Sequence, residues 1–283
     1  MPCLVNSGLY YCRYIFILAH MKFAISLLFV LLYSSAIFAQ DNYEIQIYGA
    51  QTIPKGFTML ELHSNYTFGG RQYIQDGVLP THNILHETIE ITHGFTPWFE
   101  TGFYLFNAIG SDNRTAYVGS HIRPRAMIPD SWHWPVGLSL SAEAGYQKRE
   151  YSTDDWTLEI RPIIDKTWKK FYVTFNPVFD KSLHGLNEKK GFGFSPNFKA
   201  SYNVTKKVAA GFEYYGSLGE IAMFAPYQQQ QYQLFLAIDL DWSPDWEFNA
   251  GYGLGFTQAT DNDIFKVILG YRLHKKQKAP DKK

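Results

Sequence analysis

Gln231-Tyr232-Gln233-Leu234-Phe235-Leu236-Ala237-Ile238-Asp239-Leu240-Asp241-Trp242 changes character at almost every step. Tyr232, Leu234, Leu236, Ile238, Leu240 and Trp242 fall on one face. Gln231, Gln233, Phe235, Ala237, Asp239 and Asp241 fall on the other. A period of two sustained over this length is a strand signature. Residues 246–257 repeat it: Trp246, Phe248, Ala250, Tyr252, Leu254 and Phe256 oppose Glu247, Asn249, Gly251, Gly253, Gly255 and Thr257. So do residues 136–147, where Val136, Leu138, Leu140, Ala142, Ala144 and Tyr146 oppose a face of Gly, Ser, Glu and Gln.

Outward from these, ladders of the same kind fall at 58–68, 84–95, 99–109, 116–128, 156–166, 171–180, 192–202, 207–216 and 263–273, which makes twelve strands. The 84–95 and 99–109 ladders are the least clean, the latter with Phe and Tyr on both faces. Residues 41–53 are too short to span a bilayer and read as an extended amino-terminal segment. The connections alternate in length. Thr96-Pro97, Pro129 to Pro135, Thr167 to Lys170, Asn203 to Lys206 and Ser243-Pro244-Asp245 are short, whereas 69–83, 110–115, 148–155, 181–191, 217–230 and 258–262 tend to be longer. An even strand count with short turns on one side and longer loops on the other is the layout of an outer-membrane barrel, with the short turns and both chain ends facing the periplasm.

Tryptophan placement is an independent test. Trp98, Trp132, Trp134, Trp168, Trp242 and Trp246 lie at or beside short turns, and only Trp156 lies near a long loop. Indoles favour the membrane-water boundary, where the ring is buried and its N–H hydrated. A soluble two-sheet sandwich or ligand-binding barrel, the alternative fold, has no reason to sort indoles by turn length. The apolar faces carried around twelve strands would also make a belt unfit for water. The expected fold is therefore all-β: an antiparallel up-and-down transmembrane β-barrel over residues 58–274, closed because open sheet edges cannot be hydrated in lipid.

Composition agrees. The 283 residues carry 26 Lys+Arg and 26 Asp+Glu, so net charge gives no reason to expect nucleic acid. Mean hydropathy of −0.22 excludes a polytopic helical membrane protein. Met21-Lys22, the apolar run Phe23–Tyr33 and Phe38-Ala39-Gln40 read as a secretory signal over 21–39, with cleavage after Ala39; a retained anchor helix is the rival reading. Residues 1–20 are then an extension from a start assigned too early. Both cysteines, Cys3 and Cys12, precede the signal, so the exported 244 residues hold neither disulfide nor thiolate zinc. Lys275–Lys283 carries five Lys and one Asp and reads as a solvated tail. The nearest aromatic to the end is Tyr271, a departure from the usual barrel ending.

The segment His86-Glu87-Thr88-Ile89-Glu90-Ile91-Thr92-His93-Gly94-Phe95-Thr96-Pro97-Trp98-Phe99-Glu100 resembles outer-membrane barrels grouped with the phenol meta-cleavage pathway (MetA-type) in Bacteroidota-like bacteria. Tyr43 to Gly56, Met59 to Tyr66 and the turn at Lys206-Lys207 agree with it. The resemblance implies an uptake or transport barrel, with solutes of apolar or aromatic type. Its motifs mark strands and a turn, and it brings no catalytic or binding residues.

The polar faces collect Glu61, His63, Glu90, Glu100, His121, Arg123, Arg125, Glu143, Glu159, Arg161, Asp239 and Asp241 as candidate lumen-lining residues, with Asp165, Lys199, Glu213, Glu247, Lys266 and Arg272 beside them. Such a set either steers a polar or ionic solute or fills and stiffens an interior that must be polar anyway. Residues 40–274 hold 25 acidic and 19 basic groups, a net of −6 that favours cations weakly.

An enzyme is not expected. A lipid-hydrolysing site needs Ser, His and an orienting group on one face, and no His-x-Ser occurs. His63-Ser64 and Ser120-His121 are adjacent and so project oppositely; Ser131-Trp132-His133 falls in a short turn. Asp261-Asn262-Asp263 offers oxygens for calcium but reads equally as a turn. No cofactor is expected. Outer-membrane lipid and the export and barrel-assembly machinery are the expected partners, and passive passage of small solutes the expected function. The alternative is a closed structural or surface-binding barrel.

Overall fold

The computed structural model describes residues 42–111 and 114–273; the leader, the residues before it and the basic tail lie outside the described residues. Twelve strands make the wall: β1 (Thr58–Gly69), β2 (Ile84–Thr96), β3 (Phe99–Ile109), β4 (Thr115–Met127), β5 (Gly137–Gln147), β6 (Asp154–Trp168), β7 (Phe171–Gly185), β8 (Gly193–Asn203), β9 (Val208–Ser217), β12 (Gln231–Leu240), β13 (Trp246–Gly255) and β14 (Asn262–Leu273). The two-residue strands β10 (Gly219–Glu220) and β11 (Met223–Phe224) form a hairpin in the loop after β9, and β10 reaches Gly193 of β8. All wall pairings are antiparallel. The ring closes where β1 meets β14, with Thr58 opposite Leu273 and Gly69 opposite Asn262.

The polarity of the wall is inverted relative to a soluble protein. Along β1, Met59, Glu61, His63, Asn65 and Thr67 are buried, while Leu60, Leu62 and Phe68 are exposed. On β12, Phe235 is buried and its neighbour Leu236 is 72% exposed. Side chains alternate across a strand, so the outward series meets lipid and the inward series fills the lumen. The strands run from 10 residues in β9 to 15 in β6, enough for a tilted crossing.

The short turns lie at one rim, and all seven indoles are exposed. At that rim Trp246 packs against Tyr271 with ring centroids 4.8 Å apart and lies 6.2 Å from Trp242, and Trp168 stacks on Phe171 at 6.5 Å. Trp156 is the exception, pairing with Tyr146 toward the long loops. The sorting by turn length is thus an aromatic girdle around one edge.

The two ends of the described chain part company. The wall begins at Thr58 and ends at Leu273, both at the short-turn rim. Residues 42–53, expected to stay at that rim, instead occupy the lumen. Asn42 lies at the long-loop end, its amide donating to Asp261 at 2.7 Å, and Ile53 lies near the other end beside Glu100. Twelve strands enclose more space than their own side chains fill, and the alternation in Tyr43-Glu44-Ile45-Gln46-Ile47-Tyr48 gives the segment apolar groups for inward patches of the wall. Tyr43 joins Tyr104, Phe106, Ala108 and Val118; Ile45 and Ile47 join Tyr215, Phe235 and Ile264; Tyr48 and Ala50 join Ile163.

Leu236→Arg places a cation on the lipid face and should cost about 2–4 kcal/mol if the site lies near mid-membrane. Urea-dependent refolding into liposomes measures it. A change within about 0.5 kcal/mol, the range of an ordinary surface substitution, would mean that the face is wrongly assigned.

Candidate functional site

The lumen holds two charged clusters, and the amino-terminal segment runs between them. The first spans β2, β3 and β4. Glu90 and Arg123 lie two strands apart, with Gly102 of β3 opposite Arg123. A Cβ built on Gly102 would sit 2.8 Å from Thr92 Oγ1 and 3.2 Å from both Arg123 Nη2 and Glu90 Oε1. The missing side chain is the passage through which the guanidinium crosses β3. Arg123 Nη2 then donates to Glu90 at 2.6 Å, Nη1 stands 3.3 Å from Glu100, and Nε donates to the Tyr104 hydroxyl. Arg125 Nε donates to Glu100 at 2.8 Å. All four charged groups are buried.

Tyr48 of the segment sits among three guanidinium groups. Those of Arg123, Arg161 and Arg125 lie 4.6, 4.9 and 5.5 Å from its ring centroid. Its hydroxyl donates to Glu44 at 2.6 Å and lies 3.0 Å from the Tyr104 hydroxyl. Desolvated cation–π contacts reach about 2 kcal/mol each, so Tyr48 is a strong anchor of the segment.

The second cluster lies across the lumen on β8, β9, β12, β13 and β14. Glu213 accepts from Lys266 and, at 3.1 Å each, meets Lys199 and the Asn249 amide; Lys199 also reaches Asp239 at 2.7 Å. Lys266 donates to the carbonyl of Ile45 at 3.1 Å. Phe235 lies flat here because its neighbour across the strand pair, Gly253, has no side chain: a Cβ there would meet the ring at 2.4 Å.

The segment is bonded to the wall without joining its sheet. Its backbone is held by side chains: Thr88 on the Tyr43 carbonyl at 2.7 Å, Asn176 on both the N–H and the carbonyl of Tyr48 at 2.8 and 3.0 Å, and Asp165 on the Ala50 N–H at 2.8 Å. Arg125 donates to the carbonyls of Gly49 and Gln51 at 3.0 and 2.9 Å. Buried backbone groups require such partners, and inward polar side chains supply them here.

The residues singled out from sequence are placed as follows. Glu61, His63, Glu90, Glu100, His121, Arg123, Arg125, Glu143 and Arg161 are buried in the lumen, Glu159 and Asp239 are half-buried, and Asp241 is exposed at the short-turn rim. Within this set Glu143 takes His121 at 2.6 Å, and Arg161 takes Glu159 of its own strand through two bonds of 2.6 and 3.0 Å. Sequence reasoning missed Glu44, Tyr48, Tyr104, Asn176 and Tyr215. The signal that could have found them was the aromatic residues on the polar faces of 99–109 and 231–242, which need an apolar partner inside the barrel.

The lumen is not filled throughout. A cavity of about 900 Å³ lies toward the short-turn rim, between the segment and Lys170, Lys206, Asp241 and Arg272. Glu61, Glu90 and Arg123 are among its inner lining. Glu61, His63 and Glu90 bring potential metal-ligating atoms within 4.8 Å of one another. The loop Asp261-Asn262-Asp263 is instead committed to internal bonds: Asp261 accepts from Asn42 and the Arg71 N–H, Asn262 from the Gly255 N–H, and Asp263 from Tyr252.

No protein-family model matches the chain, and no curated protein matches it. Solved structures do. A KdgM porin in complex with disordered oligogalacturonate superposes with a TM-score of 0.51 at 10% identity, covering 76% of this chain and 99% of that one. The KdgM porin structure gives 0.50 at 12% identity over 76% and 99%. The COG4313 outer membrane channel from Pseudomonas putida F1 gives 0.49 at 11% identity over 81% and 99%. At these identities the likeness is one of fold: a closed twelve-stranded barrel of the outer-membrane type.

Arg123→Met removes the cation shared by Glu90 and Glu100 and leaves buried carboxylates short of a partner, which costs about 3–5 kcal/mol. Arg149→Met breaks only exposed contacts, to the Thr153 carbonyl at 2.7 Å and to Asp155 at 3.5 Å, and should stay within about 1 kcal/mol. Urea unfolding of both variants in detergent checks the contrast; equal effects would remove the buried cluster from the stability of the barrel.

Proposed function

We propose that the protein is an outer-membrane channel for passive passage of small solutes, closed at rest by residues 42–53 of its own chain. The observation that carries this reading is the way the segment is held. Among the described residues, no strand pairing of the wall includes a residue of 42–53, so the segment can leave while the ring of strands stays closed. Behind it stands a polar lumen lined by both signs of charge, with a cavity already open toward the short-turn rim. Lumen charges of this kind govern which solutes enter.

The solute class that suits such a lining is small and polar, with a weak preference for cations from the net of −6 over residues 40–274. The resemblance to the phenol meta-cleavage barrels extends the range to aromatic solutes. Tyr104, Phe106 and Tyr215, which now cover the segment, are the ring faces such a solute would meet after displacement. Export by the leader at 21–39, insertion by the assembly machinery and residence in the outer membrane complete the reading.

The second reading, a closed structural or surface-binding barrel, draws on the same contacts, since bonds from opposite walls hold the segment along its length. Planar-bilayer conductance separates the two. The full exported chain should be closed or open rarely, and deletion of residues 42–53 should give frequent steps with mild cation selectivity. Tyr48→Ala should raise the opening frequency without changing step size. A deletion variant that refolds, runs faster unheated than boiled and yet shows no steps would leave the structural barrel standing.

A further inference from the structure

The inner end of the cavity carries an arrangement that side chains alone leave incomplete. Glu61 of β1 and Glu90 of β2 are directly opposite in register, and His63 follows Glu61 by two residues on the same inward face. Like charges placed opposite each other destabilise a strand pair. Here both carboxylates are also buried, Glu61 at 6% and Glu90 at 0% exposure. Glu90 settles only half of its requirement: Oε1 accepts from Arg123 and from Thr92, each at 2.6 Å, while Oε2 has no hydrogen-bond partner. Glu61 has no ion pair among the described residues.

His63 supplies the second, independent observation. Its ring is fully buried, and neither nitrogen makes a hydrogen bond. A buried polar group without a partner costs about 1–3 kcal/mol, and a native structure normally gives such a group a partner, a water or an ion. Nε2 points at the unused Glu90 Oε2 across 3.5 Å. Two ligands bound to one tetrahedral zinc ion stand roughly 3.3 Å apart, from bond lengths near 2.0–2.1 Å.

We propose that Glu61, His63 and Glu90 form a binding site for a divalent transition-metal ion of the zinc type, reached from the short-turn side of the barrel. One imidazole and two carboxylates are a ligand set that zinc accepts, with a water in the fourth position. Glu61 and Glu90 line the cavity, and His63 lies one step deeper, so the ion enters from the cavity and its open position faces back into it. Arg123 on Oε1 of Glu90 orients that carboxylate, as outer-shell partners of metal ligands do. A divalent charge also resolves the like-charge contact between Glu61 and Glu90. An oxygen-seeking cation such as calcium fits less well, because it would leave the imidazole unused.

The test uses the refolded full exported chain, stripped with chelator and checked for the barrel by its faster migration unheated. Zn2+ titrated calorimetrically should bind one per chain, and Co2+ should bind the same site with a visible absorption band. His63→Ala and Glu61→Gln should each weaken Zn2+ by more than roughly tenfold, since loss of an outer-shell partner alone costs 10–100-fold. His184→Ala, at an exposed position near the end of β7, should not. X-ray absorption of the zinc-loaded wild type should show one imidazole among oxygen ligands, a readout that stands even if a variant fails to refold. Absence of binding to folded wild type would overturn the site. Binding unchanged in both ligand variants, displacement by equimolar Ca2+, or an all-oxygen shell would overturn it as well. None of these readouts involves conductance, so the site and the channel reading fail separately.

Discussion

Every peptide group in hydrocarbon must find its hydrogen-bond partner within the protein, because no water is present to supply one. The pairing of β1 with β14, from Thr58–Leu273 to Gly69–Asn262, meets this constraint by removing the last open edge, and the rest of the molecule follows from it. A closed ring of strands has two faces that cannot exchange. Leucines and aromatics go out, and the polar set goes in. The inversion is why Glu90, Arg123 and Lys266 can be wholly buried in a protein that places Leu236 outside.

Closure creates a second problem. A ring of this circumference encloses more space than twelve inward faces fill, and charged side chains with room around them gain little from one another in water. The segment 42–53 changes that environment. By bringing Tyr43, Ile45, Ile47 and Tyr48 into the lumen it excludes water from the Arg123–Glu90–Glu100 group on one side and the Lys266–Glu213 group on the other. It thereby strengthens the pairs that hold it. Charged residues and segment are therefore mutually dependent: neither arrangement is stable in a dry lumen without the other.

The wall was legible because period-two alternation is a local property. Opposed faces such as those of 231–242 placed the strands, the lengths of the turns pointed to a barrel, and the positions of six indoles tested it independently. The segment was not legible, because its partners are remote in sequence: Tyr48 meets Asn176, and Ile45 meets Lys266. Its trace in the sequence was an apparent defect. Tyr104 and Phe106 spoiled the alternation of 99–109, and Phe235 stood among polar residues, because these rings face a chain rather than water. The lumen-facing charges could be assigned to a face but not to partners. Whether Glu143 meets an arginine or His121 depends on stagger between strands, and crossing from Arg123 to Glu90 depends on the absent side chain at Gly102.

Under the proposed channel reading, the same dependence governs how the barrel would respond to a solute. The groups that hold the segment are generic: a guanidinium on a carbonyl, an amide on a peptide group, rings on a tyrosine. On that reading a small polar or aromatic molecule in the cavity has Arg125 and Glu100 on its lining, and these are the groups that bind Gly49, Gln51 and Ile53. Solute and segment then compete for the same donors and acceptors. A ligand that favours the displaced state shifts the population toward it only by its difference in affinity for the two states. On this argument the number of side-chain bonds to the segment is not evidence against movement, since every bond lost to the segment can be regained by a solute of matching polarity. What resists displacement is the contact no polar solute replaces: Tyr48 packed among three guanidinium groups.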